Sequence, residues 1–425
     1  MTLQDTPRAN RVHIGIFGRR NSGKSSLINA LTGQQVALVS SVAGTTTDPV
    51  YKTMEMAPIG PVVFIDTAGF DDEGTLGEMR VHATRKIISK VDVAILLFQG
   101  EPQEDEKTVA IDRELKWMEE LQKAEIPVIP VVGKKDLAEN LPERLEYQSR
   151  LIEMLSGKLG IKVCHASSIT GEGIEDLRKK IAAAVDYTKE RNIVMNQLAK
   201  PGDTVLLVMP QDIQAPKGRL ILPQVQTIRE LLDGKCTVVA ATADGLGKAL
   251  EALANPPALI ITDSQCFDLV YWQKPAESLL TSFSVLFAAY KGDIAAFVKG
   301  AEAIEALKES SKVLIAEACS HAPLEEDIGR VKIPALLRKR VGERLQVEVC
   351  AGNDFPEDLT KYDLIIHCGA CMFNRKHVLS RIHQAKEAHV PITNYGITMG
   401  ALQGILDKVA IPMDEGFDLD RENGL

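Results

Sequence analysis

The stretch VHIGIFGRRNSGKSSLINAL, residues 12–31, decides the fold of the first part of the chain. An apolar run from Val12 to Phe17 ends in Gly18. Gly23, Lys24 and Ser25 follow, and a helical apolar period begins at Leu27. Strand, glycine loop and helix in that order are the context of a phosphate-binding loop. Gly18 and Gly23 let backbone N–H groups turn toward phosphate oxygens. The helix N-terminus adds about half a positive charge. Lys24 is expected to reach the terminal phosphates and the Ser25 hydroxyl to take Mg²⁺. Asn21, Ser22 and Ser26 complete the nucleotide-facing set.

Working outward, FIDTAGF supplies Asp66 at a strand end, as a Mg²⁺ partner, and Gly69, whose N–H can approach a γ-phosphate. Between the two motifs, SVAGTTTDP offers Thr46 as the switch threonine on Mg²⁺, with Thr45 as the alternative. VVGKKD then ends a further strand. Asp136 can accept two hydrogen bonds from guanine N1 and N2, a donor pair that adenine lacks. A hydrogen bond to a charged group is worth roughly 1.5–3 kcal/mol, so the site should prefer GTP. Lys134 lies in the same loop, and ASSITGEGIEDL places Ser167 and Ser168 where a backbone contact to guanine O6 is expected.

The strand candidates VHIGIF, PVVFID, VAILLF, IPVIPVV and IKVCHA alternate with helical periods, which reads as a doubly wound α/β domain over residues 1–188. A polar stretch ending in Pro201-Gly202 opens a smaller α/β segment with strands TVLLVM, CTVVAA and ALIITD, given the limits 189–275. A third α/β unit, 276–425, begins with helices and carries strands KVLIAEA, LQVEVC, YDLIIH and PITNYG. The net charge of −9 argues against a non-specific nucleic-acid binder. No apolar run is long enough for a bilayer and no signal-peptide core opens the chain, so a cytoplasmic setting without membrane partners is expected. Seven cysteines are too few and too scattered for a disulfide framework.

Two strand ends carry cysteine. YDLIIH runs into His367-Cys368-Gly-Ala-Cys371, and KVLIAEA into Cys319-Ser-His321. Loops at the carboxyl ends of parallel strands gather on one edge of a sheet, so the two can converge. Alone, Cys368-x-x-Cys371 is compatible with a dithiol redox pair. With Cys319 and a histidine it fits either Cys₃His zinc or an iron–sulfur cluster, and ligand chemistry does not separate them. In extended chain, residues i and i+2 face the same way. His321 is therefore the preferred fourth ligand and His367 the lesser one. Cys164 and Cys236 read as core, Cys266 as loop, and Cys350 as the end of a strand in the last unit, outside the ligand set. His377, His383 and His389 read as solvated.

GRRNSGKSSLINAL, GTTTD, DTAGF and TGEGI resemble the tRNA-modification (TrmE) and Era-like GTPases. Gly133 departs from the asparagine usual in that group. Phe70 stands where Ras-like GTPases place a water-orienting glutamine. The resemblance implies slow hydrolysis with K⁺ held by Asn21. Over essentially the whole chain, PKGRLILPQVQTIRELLD and HCGACMFNR added to these motifs resemble the FeFe-hydrogenase maturation GTPase (HydF) family. That resemblance implies a 4Fe–4S cluster on Cys319, Cys368 and Cys371 and a homodimer formed through the middle segment. It also implies a scaffold role: a di-iron precursor is received as cargo from two radical-SAM maturases and delivered to apo FeFe-hydrogenase. The rival readings are an RNA-modification or ribosome-assembly GTPase with a zinc-stabilised module, and a GTPase-linked dithiol oxidoreductase.

Overall fold

The computed structural model describes residues 11–33, 50–67, 84–100, 111–134, 136, 142–160, 163–185, 194–195, 197–210, 220–318, 327–352 and 354–412. The chain divides into two compact units, Met1–Lys189 and Glu190–Leu425.

The first unit holds a six-stranded sheet in the order β2-β3-β1-β4-β5-β6. Its strands are β1 Val12–Gly18, β2 Val50–Met56, β3 Gly60–Asp66, β4 Val93–Phe98, β5 Val128–Val132 and β6 Cys164–His165. All pairings are parallel except β2 with β3. The parallel strands are buried on both faces, which is why they read as unbroken apolar runs. The antiparallel edge strand β2 was not foreseen, because VYKTMEM buries only Lys52 and Met56 and shows no regular apolar alternation. Helix Lys24–Thr32 buries Leu27, Ile28 and Leu31 against this sheet. At roughly 1.5–3 kcal/mol per buried side chain, that packing anchors the glycine loop in front of it.

The second unit holds two four-stranded parallel sheets. One has the order β10-β9-β7-β8, with β7 Thr204–Val208, β8 Thr237–Ala241, β9 Leu259–Thr262 and β10 Leu279–Ser282. The other has the order β12-β11-β13-β14, with β11 Lys312–Ala316, β12 Gln346–Cys350, β13 Leu364–His367 and β14 Ile392–Asn394. Just past the limit expected at residue 275, β10 pairs with β9 of the middle sheet. The third segment therefore opens with a strand of the preceding sheet, and its helices follow.

In the last sheet the chain passes from β11 to β12 on one side and then to β13 on the other. The carboxyl ends of β11 and β13 thus flank the topological switch point, where open α/β sheets bind ligands.

Candidate functional site

The glycine loop is shaped as the sequence requires. Asn21 and Gly23 take left-handed backbone angles, φ 57 and φ 99, which turn successive N–H groups inward. Lys24 Nζ donates to the Gly18 and Arg19 carbonyls at 3.0 and 2.7 Å. The ammonium is held at the loop that would wrap phosphate. The Ser22 hydroxyl is buried and has no hydrogen-bond partner among the described residues. Arg19 makes a buried ion pair with Glu114 at 2.6 Å, tying the loop to the helix Asp112–Lys123.

Ser25 Oγ donates to Asp66 Oδ2 at 2.5 Å. Burial pushes the Asp66 carboxyl upward, and the Ser25 hydrogen bond, Lys24 and Lys52 oppose that shift. A hydroxyl and a half-buried carboxylate in contact form a hard-oxygen pair suited to a small dication.

At the far end of the sheet, Asp136 Oδ1 accepts from Ser167 Oγ at 2.6 Å. Ser167 Oγ in turn accepts from the Ile169 and Thr170 amides. The two segments chosen for guanine recognition are thus in direct contact, with Ser168 on the turn that follows Ser167. Lys134 takes φ 60. One residue here was missed by sequence reasoning. Gln148, 1% exposed, donates to the Gly100 and Lys134 carbonyls and meets His165 Nε2 at 2.6 Å. It stitches three loops beneath the base site. Only its polarity at an inward position of helix Pro142–Leu159 could have signalled it. Thr45, Thr46, Gly69 and Phe70 lie outside the described residues.

At the switch point of the last sheet, Cys368 N donates to the Ala316 carbonyl at 3.0 Å. Cys368 Sγ accepts from the Ala318 amide at 3.1 Å and the Ala370 amide at 3.4 Å. Cys319 and His321 lie outside the described residues. Ala318, the residue before Cys319, is therefore already in contact with the Cys368 sulfur. Both thiols of the pair are part-exposed. Burial raises Cys371, and the ammonium of Lys291 opposes that rise. Among the described residues no group of three or more His, Cys, Asp or Glu is placed to hold a metal ion.

His367 is 1% exposed, and both its ring nitrogens are engaged. Nδ1 meets the Cys368 carbonyl at 2.8 Å, and Arg381 Nη1 meets Nε2 at 3.0 Å. The guanidinium can only donate, so Nε2 accepts and the proton sits on Nδ1. Burial, and then Arg381, push its pKa down to about 3. His367 has no free lone pair for a metal, so the structure makes it a brace of the loop rather than a ligand. His377 also departs from expectation. It is buried and stacks on Phe373 at 3.8 Å, whereas His383 and His389 are exposed. Cys164 and Cys236 are core as expected, and Cys350 ends the strand beside β11.

Fold and site together define a P-loop GTP-binding protein whose last sheet presents a Cys-x-x-Cys loop at its switch point. Family models match in three consecutive stretches. The 50S ribosome-binding GTPase model covers residues 13–134, the hydrogen maturase F dimerization domain 194–292, and the hydrogen maturase F tetramerization domain 295–412. The chain belongs to the hydrogen maturase F family.

Curated relatives match part of the chain. The tRNA modification GTPase MnmE of Endomicrobium trichonymphae is 32% identical over 183 residues, 43% of this chain and 37% of that protein. GTPase Der of Clostridium perfringens is 33% identical over 188 residues, 42% and 41% of the respective chains. The chain spans about two fifths of the length of these relatives. Among solved structures, Era in complex with MgGDPNP and nucleotides of 16S ribosomal RNA shares 18% identity at a TM-score of 0.34, covering 54% of this chain and 93% of that one. No described helix is long and apolar enough to cross a membrane.

Proposed function

We propose that the protein is a GTP-hydrolysing scaffold of FeFe-hydrogenase maturation. On this reading it binds a 4Fe–4S cluster through Cys319, Cys368 and Cys371 and carries a di-iron precursor as cargo. The observation that carries it is the contact between the Ala318 amide and Cys368 Sγ at 3.1 Å, which brings the chain entering Cys319 to the Cys-x-x-Cys loop. The donor set fits. Thiolates are the ligands iron–sulfur clusters take, and backbone amides already aim at one of the sulfurs. Three thiolates leave one iron for His321, for another residue or for cargo.

In the nucleotide site, Lys24 and the loop amides would bind the phosphates, Ser25, Asp66 and Thr46 would hold Mg²⁺, and Asp136 would select guanine. The buried, unpartnered Ser22 hydroxyl fits a loop that closes on an anion. Mg²⁺ would neutralise charge on the phosphates, and K⁺ on Asn21 would add to it. Gly69 would approach the γ-phosphate through its N–H. The partners on this reading are two radical-SAM maturases and apo FeFe-hydrogenase, met by a homodimer in the cytoplasm. Release of the switch on hydrolysis would tune their association.

Anaerobic reconstitution with iron and sulfide tests the cluster. About four irons per chain and a visible charge-transfer band are expected. Cys319→Ser should abolish both. A variant that keeps its iron would refute the three-thiolate site, and zinc uptake in place of iron would favour the RNA-linked rival.

A further inference from the structure

Two cations lie buried against the cysteine loop. Lys291, at the end of helix Phe283–Lys291, is 2% exposed. Its Nζ donates to the carbonyls of Ala370 at 3.1 Å, Cys371 at 3.3 Å and Phe373 at 2.7 Å. Three carbonyl acceptors require three N–H donors, which is the ammonium form. Arg381, on helix Arg375–Glu387, is 1% exposed. Its guanidinium lies 4.7 Å from the ring centres of both Phe355 and Phe373, and its hydrogen bonds go to His367 Nε2 and the Gly352 carbonyl.

Neither cation makes an ion pair with a carboxylate among the described residues. Two other cations show the contrast: buried Arg19 has Glu114, and the half-buried Arg330 has Glu317. Burying a charge without a counter-charge is costly, and ordinary proteins pair it. The ionisable groups that act on them electrostatically are thiols: Cys371 and Cys368 on Lys291, and Cys350 and Cys368 on Arg381. The loop conformation also needs support. Ala370 sits at φ 52, a left-handed angle that costs a residue with a Cβ about 1–2 kcal/mol. The three bonds from Lys291 clamp the carbonyls of Ala370 itself and of Cys371 and Phe373 just after it.

We propose that Lys291 and Arg381 are positioning residues of the cysteine loop, two buried cations that brace its backbone and offset the negative charge of the thiolates and of the iron–sulfur group they hold. This rests on the cluster reading above. Net charge around a cluster and hydrogen bonds to its sulfurs set its potential, and a nearby fixed cation favours the more negative, reduced state. An anionic cargo arriving at the same loop would meet the same two charges.

The experiment compares reconstituted full-length wild type with Lys291→Met and Lys291→Arg under anaerobic conditions. Iron content, loss of iron to a chelator and the midpoint potential are read for each. Lys291→Met should make the reduction equilibrium about tenfold less favourable, a negative shift of about 59 mV for one electron. It should also lose iron at least severalfold faster, with GTP turnover unchanged. Lys291→Arg keeps the charge and should return the potential to within threefold of wild type in the same equilibrium. Should Lys291→Met not fold, Arg381→Met removes the other cation and is expected to shift the potential the same way. Variants that match wild type, or Lys291→Met and Lys291→Arg shifted equally, would overturn the charge role. Wild type that takes up no iron would instead remove the cluster reading on which the proposal stands.

Discussion

Position 133 shows what one side chain can withhold. A Cβ built there would stand 3.2 Å from Leu97 Cδ1 and 3.6 Å from the Ser22 carbonyl of the glycine loop. An asparagine could reach that carbonyl with its amide and tie the guanine loop to the phosphate loop, at the cost of a small movement of Leu97. Gly133→Asn should therefore tighten GDP binding severalfold, about 1 kcal/mol, as measured by titration; unchanged affinity would mean that Gln148 already supplies the brace. His367 makes the second residue-scale case. Its pKa is lowered to about 3 from an ordinary 6.5, so the unfolded chain binds a proton that the folded chain refuses. Stability from this group is complete above pH 6.5 and is lost as pH falls toward 3. Between pH 7 and 5 the loss should be about 1–2 kcal/mol. His367→Gln keeps an acceptor for Arg381 and does not titrate in this range. Its urea-unfolding midpoint should vary less across that window than that of wild type.

At the scale of elements, legibility followed burial. The strands between helices were readable because both faces are covered, so Val62 to Ile65 or Leu364 to Ile366 form continuous apolar runs. β2 and β10 escaped. The first lies at a sheet edge and buries only Lys52 and Met56. The second is four residues long and runs straight into the apolar helix that follows, so it reads as part of that helix. The cysteine loop was legible by motif, but its supports were not. Lys291 reads as an ordinary cation at a helix C-terminus, and nothing in the sequence says that it crosses to a loop about eighty residues on. Close packing of elements was equally hidden. A Cβ at Gly300 would lie 1.9 Å from the Ile392 carbonyl oxygen, so helix Ile294–Ala301 touches β14 backbone to backbone. Gly300→Ala must part the two and should cost at least about 1–3 kcal/mol in urea unfolding. Gly247, in helix Leu246–Glu251, has open space where a Cβ would stand, with nothing within 4 Å. Gly247→Ala should change stability with the opposite sign, by about 0.5–1 kcal/mol. Equal effects at the two positions would show that close approach is not what holds position 300.

For the whole molecule, the two compact units carry separate cores. The clusters around Ile14 and Phe17 draw only on residues up to 185, and those around Leu206 and Val205 only on residues from 194 onward. Each unit should then fold without the other. Residues 1–189 alone should unfold cooperatively and be stabilised by GDP with Mg²⁺, by about 2.7 kcal/mol at a hundredfold excess over Kd. Residues 190–425 alone should fold, take up iron on reconstitution and ignore nucleotide. In the full chain, calorimetry should resolve two transitions, with nucleotide moving only the one that belongs to the first unit. That pattern would mean that hydrolysis acts through what docks on the GTPase unit rather than through the cysteine site itself. A nucleotide-dependent shift in the second transition, or in the rate at which a chelator strips iron from the full chain, would instead reveal a direct coupling free energy between the two sites. By linkage, the iron-loaded protein would then have to bind nucleotide with an equally altered affinity.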